Sequence, residues 1–277
     1  MTRSGGEIEH VRIGPVRVRI RAVGDGEPLL MLMGIGGNLG MWEPLAAELT
    51  GRRLIMFDQP GTRGSSGPWL PATMAHNAWF ASRVLRALDV PRADVLGYSW
   101  GGLVAQQLAF QHRSMVRRLV LACTTVGWGG RWPPAGVARR MLTPRRYYSR
   151  EYFREVAPTI YGGEFRRNTA LADREFSLRA THPPTVLGYA AQLCAAMTYS
   201  SLSALPLISA PTLVLAGDDD PVVPHFNYRL LARLLPNARL HVMSGAGHLL
   251  LLDRPSEAAA LIEAFLSDAE GDGTTRG

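Results

Sequence analysis

Strand-length segments alternate with helical ones along this chain of 277 residues, and that order constrains the fold more than any other feature. Leu29 to Met33 ends at Gly34-Ile35-Gly36-Gly37, Arg53 to Phe57 ends at Asp58, and Ala93 to Leu96 ends at Gly97. Leu119 to Ala122, Thr212 to Ala216 and Leu240 to Met243 follow. Short apolar runs bounded by Gly and Pro suit strands buried on both faces of a parallel sheet. Val16 to Val23 alternates apolar residues with Arg, the pattern of a half-exposed edge strand. Helical stretches lie between them at Met41 to Leu49, Met74 to Leu88, Trp100 to His112, Asn227 to Leu235 and Glu257 to Leu266. The order predicts an α/β fold, a mostly parallel central sheet flanked by helices and joined by right-handed crossovers.

The rhythm breaks after Thr125. Gly127 to about Ser200 shows no strand pattern and is rich in aromatic residues, among them Trp128, Trp132, Tyr147, Tyr148, Tyr152, Phe153, Tyr161 and Phe165. This predicts a helical cap over 127–199, inserted into a core made of 1–126 and 200–277, with a polar, Gly-rich tail at 267–277 read as disordered. The formal charge is +7, and all thirty basic residues are Arg. Eleven of them, against five acidic residues, fall between Gly127 and Ala180. Such a patch serves nucleic acid, an anionic surface, an acidic ligand or merely a solvated face, the last being the commonest. With no nucleic-acid-binding motif present, no nucleic-acid partner is expected. Cys123 and Cys194 form no CxxC pair, there is no signal-peptide pattern, and no apolar run is long enough to span a membrane. A cytoplasmic protein with reduced cysteines is the expectation.

Gly97-Tyr98-Ser99-Trp100-Gly101 carries the chemistry. An apolar strand precedes it and a helical pattern follows, the setting of a nucleophile elbow that lifts a serine above a sheet edge. A serine hydroxyl needs a base to attack at neutral pH, and in this fold an acid and then a histidine follow in chain order. Gly217-Asp218-Asp219-Asp220-Pro221-Val222-Val223-Pro224 and Gly245-Ala246-Gly247-His248 supply both, each after a strand. The residues alone leave the acid open, with Asp220 preferred and Asp219 the runner-up. Backbone N–H groups of Trp100 and Ile35 are the expected oxyanion donors. Gly34-Ile35-Gly36-Gly37 also resembles a phosphate cradle, but no P-loop Lys follows it. No metal or cofactor is expected.

At these residues the sequence resembles the α/β-hydrolase superfamily, and more closely the intracellular depolymerases of medium-chain-length poly(3-hydroxyalkanoate). The likeness runs from about Val16 to Leu266. Its narrower part rests on Ser99-Trp-Gly-Gly through Gln106-Gln107, Thr143-Pro-Arg-Arg-Tyr147 and Ile160-Tyr-Gly-Gly-Glu-Phe-Arg-Arg167. The resemblance implies a serine esterase with Ser99, Asp220 and His248 as its triad, acting on polyesters of 3-hydroxy fatty acids at granules. It favours Asp220, because the family's acid lies three residues after the Gly. Met33 stands where His or Asn often precedes the oxyanion glycine, and Arg63 where a small residue is usual. Both belong to loops at the catalytic end of the sheet, so they join Trp128, Trp132 and Tyr161 as candidate substrate contacts.

Ester hydrolysis through an acyl-enzyme is thus the leading function. A thioesterase, a C–C bond hydrolase and an acyl transferase would keep the same triad, whereas a non-catalytic binder of an apolar ligand would not need it. Cap aromatics are expected to gate acyl chains, with Arg145 and Arg146 at the mouth holding a polymer end or an anionic granule surface.

Overall fold

The computed structural model describes residues 6–67 and 73–268. Its strands are β1 (Ile8–Ile13), β2 (Val16–Val23), β3 (Glu27–Leu32), β4 (Arg52–Phe57), β5 (Ala93–Tyr98), β6 (Val116–Ala122), β7 (Thr212–Gly217) and β8 (Ala238–Met243). They form one sheet in the order β1-β2-β4-β3-β5-β6-β7-β8. β2 runs antiparallel to both of its neighbours, and every other neighbouring pair is parallel. The chain steps from β3 outward to β4, then crosses back to β5 on the other side of β3. That reversal opens a crevice at the carboxyl ends of β3 and β5, where ligands of open α/β sheets bind.

Along each inner strand the side chains alternate between two apolar layers, as a period of two requires. Leu30, Leu32, Val95, Leu119 and Leu121 face one layer with α2 (Met74–Ala87) and α3 (Trp100–Gln111). Leu29, Met31, Met33, Leu96 and Val120 face the other. That layer is shared with α1 (Glu43–Glu48) and, near the C-terminus, α9 (Leu250–Asp253) and α10 (Pro255–Ser267). Between β6 and β7 the chain inserts α4 (Ala135–Met141), α5 (Arg150–Tyr161), α6 (Thr169–Thr181) and α7 (Val186–Met197), and α8 (His225–Leu234) follows β7. Phe153, Val156 and Ile160 of α5 belong to the same apolar cluster as Leu249 and Leu250, so the insertion shares its core with the sheet domain.

Two strand readings need correction. Val16 to Val23 is half-exposed but is not the edge, because β1 pairs with it from Ile8 to Ile13. β1 has no apolar run to mark it, since Glu9, His10 and Arg12 are exposed and only Ile13 is buried. At the opposite edge, Leu240 to Met243 is not buried on both faces, because β8 has a neighbour on one side only. The polar tail begins as ordered structure. Ser267 closes α10 and accepts from Arg52, while Asp268 pairs with Arg239 at 2.7 Å. Arg118 donates to the carbonyls of Phe265, Leu266 and Asp268, satisfying acceptors that a helix end leaves orphaned. Residues 269–277 lie outside the described residues.

Asp253 of α9 is mostly buried, and neither of its carboxylate oxygens meets a donor from another residue. Burial pushes its carboxyl up to about 6, with Glu164 and Glu175 adding to the rise and Arg254 opposing it. The folded state therefore holds this proton more tightly than the unfolded chain does. Stability contributed by the neutral acid is full below about pH 4 and is lost as pH rises through about 6. Asp253→Asn should raise the melting temperature by a few degrees at pH 7.5, on the order of 2 kcal/mol. The gain should shrink towards zero at pH 4, as thermal denaturation at the two pH values will show.

Candidate active site

Ser99 stands between β5 and α3 with φ 53° and ψ −117°, a left-handed conformation that a serine adopts only under constraint. Three hydrogen bonds hold it there. Its N–H donates to Ala122 O at 2.9 Å, and its carbonyl accepts from Gly102 N at 2.9 Å and Thr124 Oγ1 at 2.7 Å. The glycines around it are steric requirements. A Cβ on Gly97 would lie 2.6 Å from that of Ala105, and one on Gly101 would lie 2.0 Å from Leu32 O.

His248 Nε2 lies 3.0 Å from Ser99 Oγ, and its Nδ1 lies 2.8 Å from Asp220 Oδ2. The His248 and Asp220 side chains are almost wholly buried. Asp220 is held by four hydrogen bonds. Oδ1 accepts from the N–H groups of Val222 and Val223, and Oδ2 accepts from Tyr228 Oη at 2.5 Å and from His248. Held this way, the carboxylate orients the imidazole with its free nitrogen towards the serine, the arrangement that lets a histidine take a hydroxyl proton. Tyr228 gave no signal in the sequence. It lies on α8, eight residues beyond Asp220, and burial together with the Asp220 charge keeps its phenol protonated.

The two other aspartates of the run face elsewhere. Asp219 accepts from Gly163 N at 2.7 Å and from both Arg166 Nε and Nη2, and the Arg166 guanidinium holds its carboxyl below the usual range. Asp218 accepts from Gly245 N at 2.6 Å. Cys123, Asp220 and His248 approach one another closely enough to suggest metal ligands. However, both Asp220 oxygens and both His248 ring nitrogens already have hydrogen-bond partners within the protein.

The Gly34–Ile35 loop lies directly over the elbow, since a Cβ on Gly34 would sit 3.3 Å from Ser99 Cβ. Ile35 and Trp100 both line a cavity of about 260 Å³ with Ser99, between the elbow and the inserted helices. Its wall is apolar, with Leu103, Leu142, Leu193 and Met197 prominent. The insertion also ties down each loop of the site. Tyr147 donates to Ile35 O, and Gln192 of α7 accepts from Gly36 N at 2.7 Å and from Trp100 Nε1, through its carbonyl, at 2.8 Å. Tyr161 O accepts from His248 N at 2.7 Å. Gly162, at φ 64°, packs so tightly that a Cβ there would meet Asp219 O at 2.0 Å. Neither Gln192 nor Tyr147 carries a sequence pattern that reveals this role.

The candidate contacts separate. Trp132 lines the large cavity, whereas Tyr161 lies behind His248, its ring nearly parallel to the imidazole with centroids 6.4 Å apart. Met33 lines neither that cavity nor the smaller one beside His248. It shares the face of β3 that carries Met31 and is buried in the core. Arg63 is exposed, its backbone held by Pro183 O. Trp128 is half-exposed outside the rim, packed edge-on against Trp132. Arg146 is not at the mouth. It is 1 % exposed and donates to Tyr161 Oη and Tyr189 Oη at 3.1 and 2.9 Å. Arg145 alone of that pair faces out, over the Tyr152 ring at 4.4 Å.

The family model of the alpha/beta hydrolase fold matches residues 27–255, and the chain belongs to that family and is a hydrolase. Among relatives, it is 41% identical over 240 residues to the poly(3-hydroxyalkanoate) depolymerase of Ectopseudomonas oleovorans, covering 86% of this chain and 84% of that one. It is 29% identical to the 2-hydroxymuconate semialdehyde hydrolase of Pseudomonas sp. strain CF600, over 92% of each. The solved structure of a hydrolase from Pseudomonas aeruginosa PA01 superposes with a TM-score of 0.81 at 25% identity, covering 95% and 99% of the two chains.

Asp220→Asn should lower kcat by about 10⁴-fold, because an amide can leave the His248 proton on the wrong nitrogen. Asp219→Asn should lower it by less than about tenfold and cost no more than about 1 kcal/mol of stability, since what it loses is a half-exposed pairing with Arg166. Steady-state kinetics at matched folded fraction separate the two, and a larger kinetic loss in Asp219→Asn would move the acid by one residue.

Proposed function

We propose that the protein hydrolyses esters of medium-chain 3-hydroxy fatty acids, in oligomers or polyester, through an acyl-enzyme on Ser99. The observation that carries the reading is the hydrogen-bonded run Asp220–His248–Ser99 opening onto an apolar cavity of about 260 Å³. The 41% likeness to a poly(3-hydroxyalkanoate) depolymerase supports the substrate class. Ser99 Oγ attacks the ester carbonyl while His248 Nε2 takes its proton, and the N–H groups of Ile35 and Trp100 hold the oxyanion. His248 then protonates the departing alkoxide. Water, activated by the same nitrogen, releases the hydroxy acid. The apolar acyl chain lies along Leu103, Leu193 and Met197, with Trp132 at the rim.

Residues 127–199 act as a cap between core segments 1–126 and 200–277. Its outer face suits the surface of a water-insoluble polyester granule. α7 contains no charged residue and exposes Val186 and Leu187 at 68% and 62%, and Leu142 and Met197 continue that apolar face to the cavity mouth. Two free cysteines are compatible with a cytoplasmic, granule-associated enzyme.

Ser99→Ala should lower kcat by 10³-fold or more and abolish labelling by a fluorophosphonate, with the fold unchanged by circular dichroism. For the wild type, kcat/KM should rise by about tenfold for each well-buried pair of methylenes from acetate to octanoate esters. Thioesters assayed beside them should be poorer substrates. A flat chain-length profile, or preference for the thioester, contradicts the proposal.

A further inference from the structure

Ser99 lines two compartments. Besides the large apolar cavity there is a small one of about 20 Å³ on the His248 side, enough for a single oxygen-sized group. It brings several buried polar groups close to the serine, among apolar neighbours that include Met41 and Leu249. Arg146, Arg179, Tyr147 and Tyr161 wall it together with His248 and Ile35, and all four of these cap side chains are at most 2 % exposed.

Most of the polar hydrogens there are spent within the protein. Tyr147 Oη donates to Ile35 O, and the Tyr161 hydroxyl accepts from Arg146 Nε at 3.1 Å and from Arg179 Nη1 at 3.0 Å. Arg179 also pairs with Glu175 at 2.9 Å. Among the described residues nothing accepts the Tyr161 hydroxyl proton, whose oxygen is already turned towards two guanidinium groups, and Arg179 Nε and Arg146 Nη2 also meet no acceptor. Buried donors left without an acceptor are costly, so their survival beside the nucleophile points to a ligand that completes them. That ligand must accept hydrogen bonds. An attacking water fits poorly, because donors as strong as guanidinium would draw electron density from the oxygen that has to act as nucleophile.

Resting on the ester reading above, we propose that this compartment binds the oxygen on C3 of the acyl group, with Tyr161 and Arg179 as its donors. In a 3-hydroxyacyl ester that oxygen is two carbons from the carbonyl under attack, close enough to share the Ser99 end of the site while the alkyl chain enters the apolar cavity. The two compartments then read the two substituents of C3 separately, one by hydrogen bonding and one by burial. Tyr161 and Arg179 become determinants of specificity for the 3-oxygen.

The test is the ratio of kcat/KM for 4-nitrophenyl 3-hydroxyoctanoate to that for 4-nitrophenyl octanoate, which cancels any effect common to both esters. The wild type should favour the hydroxy ester by about tenfold or more. In Tyr161→Phe and in Arg179→Gln the ratio should fall to within about threefold of unity. Tyr161→Phe keeps the ring but takes an acceptor from Arg146 Nε and Arg179 Nη1, so its ratio is read once circular dichroism shows it folded, and the wild-type ratio carries the test by itself if both variants unfold. A wild-type ratio near unity, or a ratio retained in folded Tyr161→Phe, overturns the subsite while leaving ester hydrolysis standing. If the wild type cleaves neither ester, the ester reading falls and the subsite with it.

Discussion

The left-handed backbone at Ser99 is the constraint around which the rest of the site is arranged. A serine at φ 53° costs on the order of 1–3 kcal/mol, and it persists only because its surroundings allow nothing else. β5 and β6 fix the entry through the bond from Ser99 N to Ala122 O, and α3 fixes the exit through Gly102. The glycines then let α3 press against β3 closely enough to bring the Gly34–Ile35 loop over the serine. Sheet order matters as much as motif. The loops after β3 and β5 meet because the chain reverses its direction of winding between those two strands.

The insertion is the second structural condition of the site. It touches the Gly34–Ile35 loop through Tyr147 and Gln192, the loop of Asp219 and Asp220 through Arg166 and the Gly163 N–H, and the loop of His248 through the Tyr161 carbonyl. Its buried guanidiniums hold the middle of this scaffold, stacking on Tyr147, Phe153 and Tyr161 as well as donating to hydroxyls. A planar guanidinium does both at once, which an ammonium cannot. The arginine surplus of this segment therefore has two parts. Arg146 and Arg179 are interior struts, while residues such as Arg150 and Arg154 make exposed pairs with Asp173 that contribute little to stability.

Most of this architecture was legible in the sequence where burial and periodicity coincide. β3, β5 and β7 are apolar on both faces, so their runs stand out against Gly-bounded turns. β1 escaped because its one committed residue is Ile13 and the rest meets water. Ser99, Asp220 and His248 were legible because each sits at a strand end with a local signature. Tyr228, Gln192 and Arg146 were not, because their roles depend on tertiary approach. Gln192 and Trp100 meet across 92 positions of sequence, and no pattern local to either one announces that meeting. Arg63 and Met33 show how little loop position alone says about where a side chain goes. Both stand in the right loops, but the alternation of β3 turns Met33 into the core, and Arg63 faces solvent.

Of the two cysteines, Cys123 lies at the heart of the site, fully buried, with its thiol pushed far from ionisation, whereas Cys194 is exposed on the uncharged helix α7. Burial and suppressed ionisation together therefore keep a thiol reagent from Cys123 and leave Cys194 open to it. A maleimide dye whose emission responds to polarity would attach at Cys194 without any engineered substitution, in the middle of the apolar face. It would report from within the protein's own sequence which side of the molecule meets a surface.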